Sequence, residues 1–566
     1  MSSKKAAFIV FIFLVIFLLV RLPGISVPYH QDEWKNVSAS SNIENAGEFF
    51  AHPPLMQMMF VVGYKIFGAD NFRFIPLIFS LAGAALLFLV LKNRAGKGVA
   101  FWSLGIFLIL FYNVLGSLVP DVDGSILPFF FLLSIYFYDK WNAASGKIKW
   151  KWFALLATAL LIGFLTKLSF ILVVGTITLD YIFNNWRDFS RRKFGYVVLF
   201  SGFFGLIYVG LLYLISAIYP PFDMKIMFGH ASQFSEGEGR NWIQIAVQGV
   251  KTIFYLSPLA FIPLLFISKD IIKRTRVFWI YLIVGAIFYF IVFDFSRGAL
   301  DKYLMFAIVP LSIIVGHIFS RIFSDMRNLQ ANGALYKSFF SRLLPAFVIG
   351  LVLSALLILA NFLSHEVLPL YPKTLWFSRV LHGEWLILNP FNGGSGPLGF
   401  YVSFLFIAAA FVISAIPAGI GLWKKAWRPH IAVVLLMIGI SYNAVFAEEF
   451  FAGKINGSAP KVLKEASGFI EGRDDIKKVI TYNDIGAGLV EGMGKYAGRI
   501  YATPESENGY KELFAKHSAA GGHYLIVGIP PLGPNTFYGK FFANCDSLFE
   551  SKSGEIRANV YKCNTK

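Results

Sequence analysis

An acidic pair, Asp32 and Glu33, stands shortly after the first long apolar run of the chain, within Tyr29-His30-Gln31-Asp32-Glu33-Trp34-Lys35. A carboxylate held beside a reacting group can act as a general base. Neighbouring residues of a helix do not share one face, so one carboxylate could face a substrate while the other orients the loop or caps a helix. An isolated acidic pair is also typical of a solvated turn or an N-cap. The pair alone does not decide between these roles.

Further charged or polar residues stand at the ends of apolar runs. They are His52, Arg73, Asp121, Asp123, Lys167, Lys302 and Tyr303. A charge in the middle of a bilayer costs roughly 2.5–3.5 kcal/mol, so Lys167, between two apolar runs, is expected at the membrane interface or beside a wet cavity. The acidic residues and His52 could together bind a divalent cation, but no ligand spacing requires one, and we expect no metal or other cofactor.

Most of these residues also have a structural explanation. Arg73 could extend to the lipid headgroups. Lys302 could form a salt bridge within its own loop, and Tyr303 could belong to the aromatic belt of the membrane interface. Asp121 and Asp123 could cap the apolar helix that follows them. The residue types leave these alternatives open.

The composition of the chain indicates whether these residues lie in a soluble protein or in a membrane protein. Of the 566 residues, 56% are hydrophobic, 17% are aromatic and only 15% are charged. About a quarter of the residues of a soluble protein are charged, and fewer than half are apolar. The chain is therefore not a soluble enzyme, a disordered protein or a disulfide-rich secreted domain. It is expected to be a polytopic membrane protein.

Thirteen apolar runs are long enough, or nearly so, to cross a bilayer as helices. They lie at about residues 6–22, 72–91, 98–118, 124–138, 152–166, 168–184, 195–218, 252–268, 277–294, 303–323, 343–363, 399–422 and 430–447. The run at 55–68 is too short to cross and predicts an interfacial helix within the first loop. We therefore predict about 13 transmembrane helices.

The charge distribution predicts the orientation. Lys and Arg concentrate in every second loop, at about residues 92–97, 140–151, 187–193, 269–276, 321–342 and 424–428. Short basic loops face the cytoplasm, so the N-terminus is predicted inside. The formal net charge of +18 is then mostly a topology signal, and no nucleic-acid partner is expected. The loops that carry the acidic pair and the other candidate residues are predicted to face outward.

The chain is expected to divide into a transmembrane domain, residues 1–447, and a C-terminal extracytoplasmic domain, residues 448–566. The tail is polar and contains strand-like segments such as 478–482 and 523–527, so we predict a small α/β domain. Cys545 and Cys563 both lie in it. An oxidising outer compartment would allow them to form a disulfide; the alternative is two buried free thiols.

The order of the short motifs resembles that of the C-type glycosyltransferases, above all the protein O-mannosyltransferases and the lipid A aminoarabinose transferase. The resemblance covers roughly residues 25–315. Its elements are the Asp32-Glu33 pair, His52-Pro53-Pro54-Leu55, Arg73-Phe74-Ile75-Pro76, Val119-Pro120-Asp121, Leu165-Thr166-Lys167 and Asp301-Lys302-Tyr303. All of them fall at the predicted outer ends of helices.

The resemblance implies an enzyme that moves a sugar from a polyprenyl phosphate, such as undecaprenyl or dolichyl phosphate, to a lipid, glycan or protein acceptor outside the cytoplasm. It assigns Asp32 as the base, with Glu33 orienting it or an acceptor group. The donor phosphate would be bound by residues drawn from His52, Arg73, Lys167, Lys302 and Tyr303. Asp121 and Asp123 would bind sugar or acceptor hydroxyls. The aminoarabinose transferases have a Lys in the region of His52, which leaves the charge at this position open.

A transporter or flippase of a lipid-linked or small solute is the rival interpretation. Transporters place charges near the bilayer midplane on broken helices and often contain internal repeats. Here the charges stand at one face, and we find no sustained repeat. The sequence therefore favours a multi-pass glycosyltransferase of the plasma or inner membrane that modifies the cell envelope.

Overall fold

The computed structural model describes residues 3–41, 52–186, 191–219, 221–232, 240–294, 300–330, 337–368, 374–391, 398–500 and 521–564. The chain packs into two compact units, each assembled from separate segments. The first unit contains Met1–Ile25, Lys35–Leu343 and Ala418–Ala432, and the second contains Ser26–Trp34, Leu344–Pro417 and Val433–Lys566. These units interleave along the sequence, and the domain boundary after residue 447 stays a prediction.

Within the described residues, nine helices are long and apolar enough to cross a membrane. They are Ala7–Gly24, Phe74–Arg94, Gly146–Thr166, Val197–Ile218, Trp242–Phe266, Leu304–Met326, Arg342–Asn361, Phe404–Trp423 and Lys425–Phe451. Four shorter apolar helices span Pro54–Phe67, Lys97–Ile109, Leu168–Asn184 and Arg276–Val292. The chain is thus a multi-pass membrane protein, as its composition predicted, while the count of thirteen crossings stays a prediction.

Two of the predicted apolar runs are not single helices. The run at 98–118 breaks at Leu110, which separates helices Lys97–Ile109 and Phe111–Gly116. The run at 399–422 begins with the strand Phe400–Ser403 before its helix starts. A short apolar run does not by itself distinguish a buried strand from a helix, so hydropathy alone could not locate either boundary.

The spans differ in how much of their surface meets protein. In the 18-residue apolar window of Leu304–Met326, 83% of the residues are buried, whereas in that of Val197–Ile218 only 11% are. The second helix exposes large apolar side chains, including Phe203 and Leu206, as a helix facing lipid does. Leu304–Met326 is therefore a central helix.

The remaining helices of the described residues are between 4 and 18 residues long. They are Gln31–Ser41, Ile126–Ala143, Met224–Ser232, Lys269–Arg274, Leu300–Tyr303, Thr374–Leu381, Ala459–Glu471, Ala487–Gly492 and Phe537–Phe542. The helix Pro54–Phe67 begins with a proline that presets the helical φ angle. It occupies the place predicted for an interfacial helix.

The second unit contains two β-sheets. The smaller sheet has the order β1 (Glu366–Val367), β2 (Ile387–Phe391) and β3 (Phe400–Ser403). In it β1 and β2 are parallel, and β2 and β3 are antiparallel. The sequence did not predict this sheet, because its strands are two to five residues long.

The larger sheet confirms the α/β character predicted for the tail. Its strands are β4 (Val479–Tyr482), β5 (Tyr496–Ile500), β6 (Gly522–Val527), β7 (Asp546–Ser553) and β8 (Ile556–Cys563), in the order β5-β4-β6-β8-β7. Strands β5, β4 and β6 are parallel, and β8 is antiparallel to its two neighbours.

The two cysteines of the tail are joined to each other. Cys563, the last residue of β8, forms a disulfide with Cys545, which immediately precedes β7. The bond therefore ties the start of one antiparallel strand to the end of its neighbour.

Candidate active site

The candidate site is built on the short loop between helices Phe111–Gly116 and Ile126–Ala143. Gly116 and Gly124 close this loop, because a Cβ atom at Gly124 would lie 2.3 Å from the Cα of Gly116. Only glycine permits so close a backbone approach. The loop is buried throughout, and it carries Asp121 and Asp123.

Both aspartates form ion pairs with lysines from distant parts of the chain. Lys302 Nζ lies 2.8 Å from Asp121 Oδ2, and Lys167 Nζ contacts Asp123 Oδ2. All four side chains are buried. Ser125 is the N-cap residue of the following helix, and its side chain accepts no capping hydrogen bond. These aspartates therefore hold lysines rather than cap the helix.

Tyr303 lies close to both lysines. Lys167 Nζ is 4.6 Å and Lys302 Nζ 5.2 Å from the centroid of its ring. Cations are attracted to the face of an aromatic ring, so Tyr303 helps to hold both ammonium groups in one place. Its ring also stacks on Tyr289, with centroids 5.9 Å apart.

The ion pairs set the protonation states. Burial disfavours charge on Asp121, but Lys302 and Lys167 outweigh this effect and hold the pKa of its carboxyl below the usual range. Burial also opposes charge on Lys167, yet Asp123 and Asp121 raise the pKa of its ammonium group. Burial raises the pKa of Asp123 despite Lys167. Both Lys167 and Asp121 are therefore ionised near neutral pH.

His52 extends the cluster as a neutral group. Burial and the Lys167 ammonium lower the pKa of His52 to about 3, and Lys302 and His230 act in the same direction. The rings of His52 and His230 meet edge to face, with centroids 6.1 Å apart. His230 comes from helix Met224–Ser232. By its sequence context alone, His230 is typical of a surface histidine, and no local signal links it to His52.

Arg73 supports the loop instead of reaching the lipid headgroups. Its side chain is fully buried, and Nη1 donates to the carbonyl of Leu118, 2.8 Å away. Leu118 precedes the two aspartates by a few residues. Burial excludes the headgroup alternative and places Arg73 behind the loop that carries Asp121 and Asp123.

The acidic pair lies in the first turn of helix Gln31–Ser41. Glu33 is buried, and its Oε2 accepts a hydrogen bond from the backbone N–H of His30, 3.1 Å away. This is the reach of an N3 carboxylate back to the N-cap residue. Asp32 is half-buried. Of the two roles considered for the pair, Glu33 therefore takes the structural one, and Asp32 is left as the candidate for chemistry.

The residues that the sequence predicted for the site fall in different packing units. His52, Arg73, Asp121, Asp123, Lys167, Lys302 and Tyr303 lie in the first unit, and Asp32 and Glu33 lie in the second. The acidic helix itself continues into the first unit, where the Asn36 side chain donates to the carbonyl of Pro120 at 2.6 Å. Pro120 is the residue directly before Asp121.

No group of three potential metal ligands from His, Cys, Asp and Glu occurs among the residues that the structure describes. The two loop aspartates are paired with lysines. Metal-independent chemistry stays a prediction. By sequence, the Gly-rich segment 234–239 could be a flexible lid over the donor or an inert linker, and Arg297 is a further cation that could bind the donor phosphate. Both lie outside the described residues.

Two depressions lie in the first unit, and the first of them is lined in part by site residues. A narrow cavity is lined by Asp123, Ser169 and the tyrosines Tyr281, Tyr289 and Tyr303, among others. An apolar groove runs between helices Pro54–Phe67 and Phe74–Arg94, and its lining includes Met58, Val62, Ile66, Ile78 and Phe79.

Comparison with known proteins places this arrangement in a fold class. Residues 51–213 match the family model described as dolichyl-phosphate-mannose-protein mannosyltransferase. The crystal structure of ArnT from Cupriavidus metallidurans in the apo state matches 99% of this chain and 98% of its own, with 14% identity and a TM-score of 0.56. The structure of that ArnT bound to undecaprenyl phosphate matches with the same coverage, 13% identity and a TM-score of 0.57.

No curated protein matches the sequence significantly. The chain thus has an ArnT-like fold. It is similar to ArnT in fold and to the mannosyltransferase family over residues 51–213. The resemblance drawn from the six short motifs is confirmed.

Proposed function

We propose that this protein transfers a sugar from a polyprenyl phosphate to an acceptor on the outer face of the membrane. The observation that carries the proposal is the pair of buried lysines, Lys167 and Lys302, which are held by two aspartates close to the ring of Tyr303. In a C-type glycosyltransferase fold, such a pair has the chemistry of a phosphate site.

The lysines suit the leaving group. When the bond between the anomeric carbon and the phosphate oxygen breaks, the phosphodiester becomes a phosphomonoester and gains negative charge. Ammonium groups already in place stabilise that charge without reorganising. Asp121 and Asp123 hold the lysines ready. Asp121 Oδ1 also accepts the backbone N–H of Val122, and a second lone pair on each carboxylate oxygen can accept a hydrogen bond from a sugar hydroxyl.

The apolar groove supports a lipid-linked donor. It is lined entirely by apolar residues of helices Pro54–Phe67 and Phe74–Arg94. The first of these helices begins two residues after His52, and the second begins directly after Arg73. An isoprenoid chain is apolar. Moving it from water into this groove is therefore favourable, and moving it there from lipid costs little. The groove therefore fits the tail of a donor whose phosphate is bound near His52.

Asp32 is the proposed base. The resemblance assigns this role, and its partner Glu33 is committed to capping the helix. The acceptor hydroxyl or amine would give its proton to Asp32 as its lone pair attacks the anomeric carbon, and the phosphate would leave with the electrons of the broken bond. A single displacement inverts the anomeric centre. We propose that no metal takes part, that the N-terminus is cytoplasmic and that the acceptor is a lipid, glycan or protein.

The decisive test is sugar transfer by the purified full-length protein. Undecaprenyl phosphate linked to radiolabelled mannose or aminoarabinose would be offered with lipid A or with a serine- and threonine-rich peptide. We expect wild type to transfer label and Asp32→Asn to lose at least about 10³-fold in kcat. Asp70→Asn, a change at an exposed residue of the same loop, should retain full activity.

Two outcomes would overturn the assignment. Undiminished transfer by Asp32→Asn would remove Asp32 from the mechanism. Solute uptake or lipid flipping in proteoliposomes, without transfer for any donor and acceptor pair, would favour a transporter or flippase. Transfer that EDTA abolishes and Mg²⁺ restores would contradict the proposed independence of metals.

A further inference from the structure

We propose that the C-terminal α/β fold positions the acidic pair, through the seating of the Trp34 ring on Gly488. The inference rests on the proposed function, since it takes Asp32 as the base. It gives the tail a defined part in the reaction, that of holding the catalytic turn from outside the membrane. Trp34 and Gly488 would be positioning residues.

The contact is close and specific. A Cβ atom at Gly488 would lie 2.8 Å from Cζ3 and 3.1 Å from Cε3 of the Trp34 indole. The ring therefore packs directly on the backbone of helix Ala487–Gly492, and any side chain at Gly488 would displace it. Trp34 follows Glu33 immediately and shares the first turn of its helix with Asp32. A displaced indole would move that turn.

Gly488, on which the Trp34 ring packs, lies at the edge of the sheet where α/β folds usually bind ligands. Helix Ala487–Gly492 follows the carboxyl end of the parallel strand β4. In open α/β sheets, ligands bind at the carboxyl ends of parallel strands. Here this edge supports the helix that seats the indole. The α/β fold therefore uses a ligand-binding edge to hold a segment of its own chain.

The loop between β4 and the helix that carries Gly488 is held in place by side-chain contacts. Asn483 and Asp484 have φ angles of 52° and 58°, in the left-handed region that Asn and Asp adopt more readily than other non-glycine residues. The Asp484 side chain is fully buried. It accepts a hydrogen bond from the Tyr496 hydroxyl, 2.8 Å away, and forms an ion pair with Arg499. These contacts fix the loop that precedes the Gly488 helix.

The catalytic turn has an unusual backbone that needs such support. Gln31, directly before Asp32, has a φ of 36°. Strained backbone of this kind persists only where the surroundings enforce it, and it concentrates at functional sites. Two contacts of the second unit bracket the strained residue. Glu33 bonds the backbone of His30 on one side, and the Trp34 indole is seated on Gly488 on the other.

The test combines two measurements on the full-length protein. Gly488→Ala adds one methyl group beneath the indole, whereas Gly492→Ala adds the same group on the same helix, where nothing lies within 4 Å. A small misplacement of a reacting group can cost about 10²-fold in rate. We expect Gly488→Ala to lower kcat about 10- to 100-fold without changing the KM for the lipid-linked donor. Gly492→Ala should match wild type.

Hydrogen exchange measured by mass spectrometry provides a readout independent of activity. Gly488→Ala should speed amide exchange in residues 26–34, and Gly492→Ala should not. Trp34→Leu should also lower kcat with an unchanged donor KM. Adding Gly488→Ala to Trp34→Leu should then cause little further loss, because the ring that meets the new methyl group is gone. A defect of tail folding alone would instead add fully to the loss.

The outcomes separate this proposal from the proposed function. If wild type transfers sugar but Gly488→Ala keeps full kcat and normal exchange in residues 26–34, the positioning role is wrong and the transferase stands. Fully additive losses in the double variant would overturn it as well. If wild type transfers no sugar to either acceptor, the proposed function fails, and this inference fails with it.

Discussion

Two clusters in this protein bury carboxylates in different ways. In the first unit, Asp121 and Asp123 are paired with Lys302 and Lys167. In the second, Glu449, only 2% exposed, is surrounded by amides. Glu449 Oε1 accepts from the side chains of Asn361 and Asn456, each at 2.7 Å, and Oε2 accepts from the backbone N–H of Asn456 at 3.2 Å.

The difference teaches which cluster can do chemistry. The lysines of the first cluster can exchange part of their contact with aspartate for contact with a phosphate, since an ammonium group has three donors. The amides of the second are committed further, because the Asn361 carbonyl oxygen also accepts from the backbone N–H of Ser403. The first cluster is suited to binding an anion, and the second joins segments of its unit.

The largest effect that would sharpen this comparison is expected at the first cluster. Lys302→Met should lower sugar transfer by about 10²–10³-fold, because the departing phosphate loses a preorganised cation. Lys65→Met, at an exposed lysine, is the control. The double variant Asp121→Asn with Lys302→Met removes both charges of the pair. Its thermal stability should therefore be higher than that of Lys302→Met, while its sugar transfer should stay as low. Recovery of transfer by the double variant would show that Lys302 serves only to neutralise Asp121.

An intermediate effect is expected at the second cluster, on stability rather than on catalysis. Glu449→Ala leaves two buried amides without their acceptor and should lower the free energy of unfolding by about 2–4 kcal/mol. The transfer rate per folded molecule should stay within about twofold of wild type. Denaturant titration in detergent would measure the first quantity, with Glu471→Ala, at an exposed site, for comparison. If Glu449→Ala lowers kcat without lowering the free energy of unfolding, the second cluster takes part in catalysis and its purely structural role is wrong.

The smallest effect concerns the neutral member of the first cluster. The pKa of His52 is lowered to about 3, so its imidazole is uncharged between pH 5 and 8. A bound phosphate would favour the imidazolium, and binding would then take up a proton. By linkage, the affinity for undecaprenyl phosphate should rise as the pH falls, by at most about tenfold per pH unit from this group.

The matched variant is His52→Lys, which carries its charge throughout this range. Binding of undecaprenyl phosphate would be measured from pH 5 to 8 for both proteins. Ionisation of the lipid phosphate contributes equally to both, so the difference between the slopes isolates His52. We expect a more negative slope of log affinity against pH in wild type. Equal slopes would show that His52 stays neutral in the complex.

The sequence predicted the members of the first cluster but not their partners. Apolar runs ending at Lys167 and Lys302, and the motif resemblance, singled out these lysines and the loop aspartates. The pairing Asp121–Lys302 joins residues 181 positions apart, and no local pattern encodes such a contact. His230 was missed for the same reason, since only the fold brings it to His52.

The second cluster could not be predicted from the sequence, for a different reason. Glu449 lies at the end of the last apolar run, where a charged residue ordinarily meets water. Its burial depends on Asn361 and Asn456, which stand in separate segments and resemble ordinary loop or helix-end residues. Hydropathy also could not place strand β3, since its three apolar residues, directly before the span, look like part of the span.

The central position of helix Leu304–Met326 has a consequence for how the protein responds to its bilayer. Lys302 and Tyr303 directly precede this span, which is mostly enclosed by protein. Hydrophobic mismatch acts on helices that touch lipid, through tilt and local thinning. Changes in membrane thickness therefore act on outer helices such as Val197–Ile218, while the two residues at the head of the central helix keep their depth.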